Sequence, residues 1–139
     1  MTTLAGVLTW YALTSGAPLY CDTHANNLTV GAVTEMWVAI PVELYSQGWQ
    51  CGDWLVVHYG DVWTWARAYD AGPFGKHCVV QLDGACLPIV ADVPQPFAGW
   101  DGLSVEGKII NVSLRGRYDV HNVDLGHNHR WTAENCRTG

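Results

Sequence analysis

The segment Tyr69-Asp70-Ala71-Gly72-Pro73-Phe74-Gly75 sets one carboxylate where a β-rich run ends and a turn begins, a common place for catalytic groups. Cleaving a glycosidic bond needs a proton donor, normally a carboxylic acid whose pKa an apolar setting has raised. A second carboxylate usually assists from the other side. Asp70 suits the first role, because Tyr69 adjoins it and Trp63 and Trp65 lie just upstream. Aromatic rings there would both desolvate the acid and stack on sugars. The competing reading makes Asp70 a turn cap that accepts backbone N–H groups from the Ala71-Gly72 turn.

Asp22, His24, Glu35, Asp53 and Asp92 are candidates for an assisting group, and the sequence brings none of them to Asp70. Asp92 stands before Val93-Pro94 rather as Asp70 stands before its own Gly-Pro-Phe. An Asp ahead of a Pro-rich turn is ordinary, however, and that plainer reading is preferred for Asp92. Trp49, Trp54, Trp63, Trp65 and Tyr69 are the candidate sugar-stacking rings, with Trp100 a further groove candidate. The alternative is that they anchor a core or a subunit interface. Eight tryptophans in 139 residues exceed what a small core needs, so at least two are expected at the surface.

Other chemistries find little support. His121, His127 and His129 with Asp119 and Asp124 match no closed zinc-site spacing, so neither a metal nor a cofactor is expected. No Gly-rich phosphate loop, Ser-His-Asp order or dinucleotide fingerprint occurs. Asn27-Leu28-Thr29 and Asn111-Val112-Ser113 are glycosylation triplets, the second inside an expected core strand.

The elements that must position these groups repeat mostly with period two. Asp53 to Tyr59 and Val62 to Tyr69 read as a hairpin closed by Gly60-Asp61, with Trp63, Trp65, Arg67 and Tyr69 on one face. Val62, Thr64, Ala66 and Ala68 form the other, small enough for a tight barrel interior. Further strands are expected over Gly6 to Leu13, Glu35 to Ile40, Cys78 to Leu82, Leu87 to Ala91 and Lys108 to Leu114. Helix is confined to short turns at Pro41 to Ser46 and Leu103 to Glu106. Many short strands broken by Gly, Pro, Asn and Asp indicate an all-β sandwich or barrel.

Size and charge bound the rest. A chain with 49% hydrophobic and 14% charged residues fits one globular domain. Thirteen acids against seven bases give a formal charge of -6, with no basic run before residue 115, which argues against nucleic acid as a partner. The apolar start from Met1 carries no Lys or Arg and fits neither a signal peptide nor a membrane span. Five cysteines suit an oxidising setting, so an extracellular or virion location is expected. At most two bridges can form, taken as Cys21 with Cys51 and Cys78 with Cys86, leaving Cys136 free or linked to another chain. The alternative is five reduced, buried thiols.

Several of these segments, taken in order, resemble the double-psi β-barrels of expansins, family 45 endoglucanases, barwin-like proteins and the rare lipoprotein A group. Gly6-Val7-Leu8-Thr9-Trp10-Tyr11 is similar to their opening strand, Tyr20-Cys21 to the first expansin cysteine, and Trp37 to Pro41 with Gly48 to Val57 to the stretch ending in Cys-Gly. Arg67 to Phe74 resembles the rare lipoprotein A segment in which Asp precedes Gly-Pro-Phe, and Leu103-Ser104 with Lys108 to Val112 their short helix and last strand. The resemblance implies a six-stranded double-psi barrel over residues 1–114, followed by an extended polar tail over 115–139. It implies a module that binds polysaccharide or peptidoglycan, with Asp70 as the residue that would cleave it. The rare lipoprotein A proteins also carry a histidine just before their Leu-Pro segment, whereas Trp37-Val38-Ala39-Ile40-Pro41 has none. The alternative function is a non-catalytic virion or assembly protein whose tail contacts neighbouring subunits.

Overall fold

The computed structural model describes residues 2–23, 25–72, 80–82 and 85–121, with only the backbone of 80–82, 85–86 and 118–121. In chain order the strands are β1 (Thr3–Tyr11), β2 (Trp37–Pro41), β3 (Trp54–Tyr59), β4 (Val62–Gly72), β5 (Val80–Leu82), β6 (Ala85–Leu87), β7 (Ile89–Pro94) and β8 (Ser104–Asn111). Short 3-10 turns cover Val42–Ser46 and Gln95–Phe97, and one helix, α1, covers Val112–His121.

Six strands close a barrel in the order β1-β7-β2-β4-β3-β8, while β5 and β6 pair apart from it. The β1/β7 and β2/β4 contacts are parallel and the others antiparallel. This interlocked mixture is the expected double-psi barrel. No described helix is long and apolar enough to cross a membrane.

The β3/β4 hairpin forms as its alternation predicts. Tyr59 pairs with Val62 around Gly60-Asp61, and Gly60 takes the positive φ of 52° that the tight turn requires. Ala66 and Ala68 point inward beside Leu55 and Val57, in a core that also holds Leu4, Leu8, Val38, Ile40, Trp49, Val90, Val93 and Ile109. Small residues on β4 leave room for the branched side chains opposite. Gly6 serves a similar end on β1: a Cβ there would meet the Pro88 carbonyl oxygen at 2.2 Å, so only glycine lets the chains approach so closely.

The C-terminal part differs from the sequence expectation. No helix forms at Leu103 to Glu106, because β8 begins at Ser104, and that strand ends at Asn111 instead of Leu114. Asn111 then caps α1, its side-chain oxygen accepting the Leu114 N–H at 2.7 Å. The first residues of the expected extended tail are therefore helical, and Arg117 ties them to the barrel through Asp53. Residues 122–139 lie outside the described residues, and with them His127, His129, Asp124 and Cys136.

The Cys21–Cys51 disulfide is present as expected. Of the second expected pair, Cys78 lies outside the described residues and Cys86 is described by its backbone alone.

Candidate functional site

Each parallel strand pair contains one irregularity in register, and these two shifts build the site. In β2/β4, Val38 pairs with Ala68 but Ala39 with Asp70, leaving Tyr69 as the extra residue. In β1/β7, Val7 pairs with Ile89 but Leu8 with Ala91, leaving Val90 extra. Strict alternation after the inward Ala68 would turn Asp70 into the core, whereas the added residue sets it on the outer face beside Ala39.

Asp92 reaches the same place from the other side. It pairs with Thr9 across β1/β7 and with Ala39 across β2/β7. Ala39 therefore has Asp70 on one hand and Asp92 on the other. Neighbouring strands lie about 4.8 Å apart, so the two aspartate backbones stand roughly 10 Å apart with one methyl group between them.

Their surroundings differ. Asp92 is partly buried and, among the described residues, accepts a hydrogen bond from the Thr9 hydroxyl at 2.9 Å. Burial raises its pKa above the ordinary carboxylate value, the charge of Asp70 adds to that, and the Thr9 bond opposes it. Asp70 is held more fully. Its carboxylate accepts the Tyr20 N–H at 3.0 Å and the Tyr11 hydroxyl at 3.1 Å, and its backbone oxygen accepts the Tyr45 hydroxyl at 2.9 Å. Tyr11 in turn accepts the Trp37 indole N–H at 3.3 Å. Burial and the charge of Asp70 push the Tyr11 phenol far above its usual range, so it stays a donor.

Asp70 does not cap an Ala71-Gly72 turn: it lies within β4, and its side-chain partners are Tyr11 of β1 and the backbone N–H of Tyr20. Asp92 lies within β7 just ahead of the Pro-rich turn at Gln95–Phe97, and its side chain bonds across the sheet to Thr9. Thr9, Tyr11 and Asp92 are the site residues that the sequence reading missed or set aside. Two signals pointed to them, the spacing of Thr9 and Tyr11 on one strand face and the echo of Asp70 at Asp92.

The other candidate assisting groups are engaged elsewhere. Asp53 is 4% exposed and bound by Arg117, Asn111 and the Gln50 N–H. Asp22 accepts the Leu28 N–H within its own loop, and Glu35 pairs with Arg67 and Tyr69. His24 lies outside the described residues.

Among the candidate stacking rings, Trp65 is 56% exposed on the outer face of β4 and meets Trp54 edge to face at 5.9 Å. These two rings wall a groove of about 430 Å³ with Val112 and Ser113 of α1. The Arg67 guanidinium lies 3.7 Å over Trp54 and 5.9 Å from the centre of the Tyr69 ring, linking that groove to the residue before Asp70. Trp63 is exposed farther along β4. Trp49 is a correction: it is 1% exposed and packs in the core, so it offers no ring to a ligand.

No protein-family model matches this sequence, and no curated protein matches it. Solved structures similar to it include two of one bacterial expansin. The apo form of Clavibacter michiganensis expansin is 20% identical, with a TM-score of 0.50, over 79% of this chain and 50% of that one. A mutant of the same expansin in complex with cellohexaose is 18% identical with the same score and coverage.

The fold is an expansin-like double-psi barrel. The chain spans about half the length of these expansin chains. The gap between the two aspartates is lined by the Ala39 methyl group.

Proposed function

We propose that this barrel binds cell-wall polysaccharide across the Thr9, Asp92, Ala39 and Asp70 surface, with Asp92 as the proton donor it offers to a glycosidic oxygen. The observation that carries the reading is the placing of two carboxylates on either side of Ala39, in environments that set them apart. A carboxyl whose proton is held more tightly, beside one held by two hydrogen-bond donors, is the asymmetry that acid-assisted cleavage requires. Tyr69, Trp65 and Trp54 supply flat rings along the approach from β4, and a related fold has been solved with cellohexaose bound. The Cys21–Cys51 disulfide suits an extracellular setting.

The test is co-sedimentation with insoluble cellulose and with peptidoglycan, alongside release of soluble saccharide, for the protein and its Asp70→Asn and Asp92→Asn forms. Retention on at least one polymer is expected, with Asp92→Asn lowering any release by about a hundredfold or more. No retention on either polymer would sink the glycan reading. Release unchanged in Asp92→Asn would remove that residue from the chemistry.

A further inference from the structure

At the other end of β4 from Asp70 lies a cluster that the carboxylate site does not use. Trp63, His58 and Lys108 stand in register across β4, β3 and β8, and the row continues to Ala5 of β1. His58 stacks on Trp63 with ring centres 3.6 Å apart and planes 16° apart, and the Lys108 ammonium lies 5.3 Å from the same indole. The imidazole thus fixes the indole, yet Trp63 remains 57% exposed and keeps ring area open to solvent. A ring already held in place loses little freedom when a ligand stacks on it.

His58, on which this ring stacks, also walls a hollow of about 250 Å³, together with Glu106 and Lys108. It exists because Ala5, Gly60 and Gly107 add almost no side chain there. Gly107 has no alternative, since a Cβ would lie 2.5 Å from the His58 carbonyl oxygen. No described residue forms an ion pair with either Glu106 or Lys108.

An open indole, a three-proton donor and a carboxylate acceptor match the surface of a pyranose, which has an apolar face and a rim of hydroxyls that both donate and accept. An acidic sugar would meet Glu106 and the net charge of -6. The match is to a neutral sugar. We propose that Trp63, Lys108 and Glu106 form a second binding site for a neutral pyranose. At about 3.3 Å per strand residue this site stands roughly 23 Å along β4 from Asp70. Resting on the glycan reading above, it holds a distant stretch of the same polymer and so raises retention by avidity.

The experiment is an NMR titration of the whole chain with cellotriose, followed by cellulose retention. Cellotriose is expected to shift two separate sets of signals: the Trp63 indole with the His58 and Lys108 amides, and the Thr9, Ala39 and Asp92 amides. Trp63→Ala should abolish the first set and leave the second, and Lys108→Gln should weaken the first several-fold. On insoluble cellulose, Trp63→Ala should bind about tenfold more weakly or worse.

A wild-type titration that leaves Trp63, His58 and Lys108 unmoved overturns this site, whatever the carboxylate set does. Movement at Trp63 with none at Thr9 and Asp92 overturns the carboxylate reading and upholds this one. A stronger response at Trp63 to trigalacturonic acid than to cellotriose overturns the neutral-sugar assignment. Undiminished cellulose retention by Trp63→Ala overturns the avidity role.

Discussion

Asp70 and Asp92 approach one residue, Ala39, from strands on opposite sides, and each arrives there one register shift past regular pairing. The pair is electrostatically coupled, since the charge on Asp70 helps to raise the Asp92 pKa.

That coupling has a consequence for stability. A carboxyl whose pKa is raised in the folded state stabilises the fold fully below its unfolded value, near 3.8, and loses that contribution as pH rises through the raised value. Asp92→Asn removes the charge while keeping an oxygen to accept the Thr9 hydroxyl. The variant should therefore melt a few degrees higher than the parent at neutral pH, with the gain fading as pH falls towards 3.8. Thermal melts between acid and neutral pH check both the sign and the window.

Arg117 grips both oxygens of Asp53 at 2.7 Å. Asp53 is buried, so Arg117→Met would leave a carboxylate with only the Asn111 and Gln50 donors. Because the Arg117 side chain is 30% exposed, the loss should be below that of a fully buried pair, about 2 kcal/mol by urea denaturation. Asp53→Asn combined with Arg117→Met should recover part of it. Additive losses in that double variant would show that the pair does not act as a unit.

The parts of this molecule visible in the sequence are the local ones. Gly60-Asp61 between two β-rich runs gave the hairpin, and the small Ala66 and Ala68 marked its inner face. The position of Asp92 was not visible in this way. Its place depends on where an extra residue enters β7 against Val7, and that of Asp70 on an extra residue set against Val38. Both are pairings between chain segments far apart, which periodicity within one segment does not encode. Trp49 read as a ligand ring because indoles serve cores and surfaces alike, and only packing separates the two. The helix α1 was missed because its polar sequence lacks an apolar stripe. Its start is fixed by the Asn111 cap and its hold on the barrel by Asp53, 64 residues before Arg117.

Gly6 and Gly107 pair directly across β1 and β8, each under a backbone oxygen of another strand or loop. Gly6→Ala would set its methyl 2.2 Å from the Pro88 oxygen, which donates nothing and cannot swing away as a side-chain tip would. The oxygen also accepts the Val7 N–H at 2.8 Å, so relief of the clash costs that bond. A loss of about 3 kcal/mol or failure to accumulate as folded protein is expected. Gly116→Ala, on α1 where nothing lies within 4 Å and φ is not positive, should cost nothing and serves as the control for glycine replacement as such.

The Cys21–Cys51 bridge closes a separation of 30 residues, a span with little regular structure outside β2 and its following turn. A loop of that length contributes about 3 to 4 kcal/mol by restricting the unfolded chain. The bridge also fixes the residue next to Tyr20, whose N–H is bound to Asp70 and whose ring stacks on Tyr45 at 4.8 Å. Cys21 itself donates its N–H to the Tyr69 oxygen at 3.0 Å, so three successive contacts depend on one cross-link. Cys51→Ser should lower stability by about that amount and also increase hydrogen exchange at the Tyr20 amide beyond the global loss. Exchange at Tyr20 that rises only in step with a core amide such as Ile109 would mean that the bridge stabilises the fold without holding Asp70.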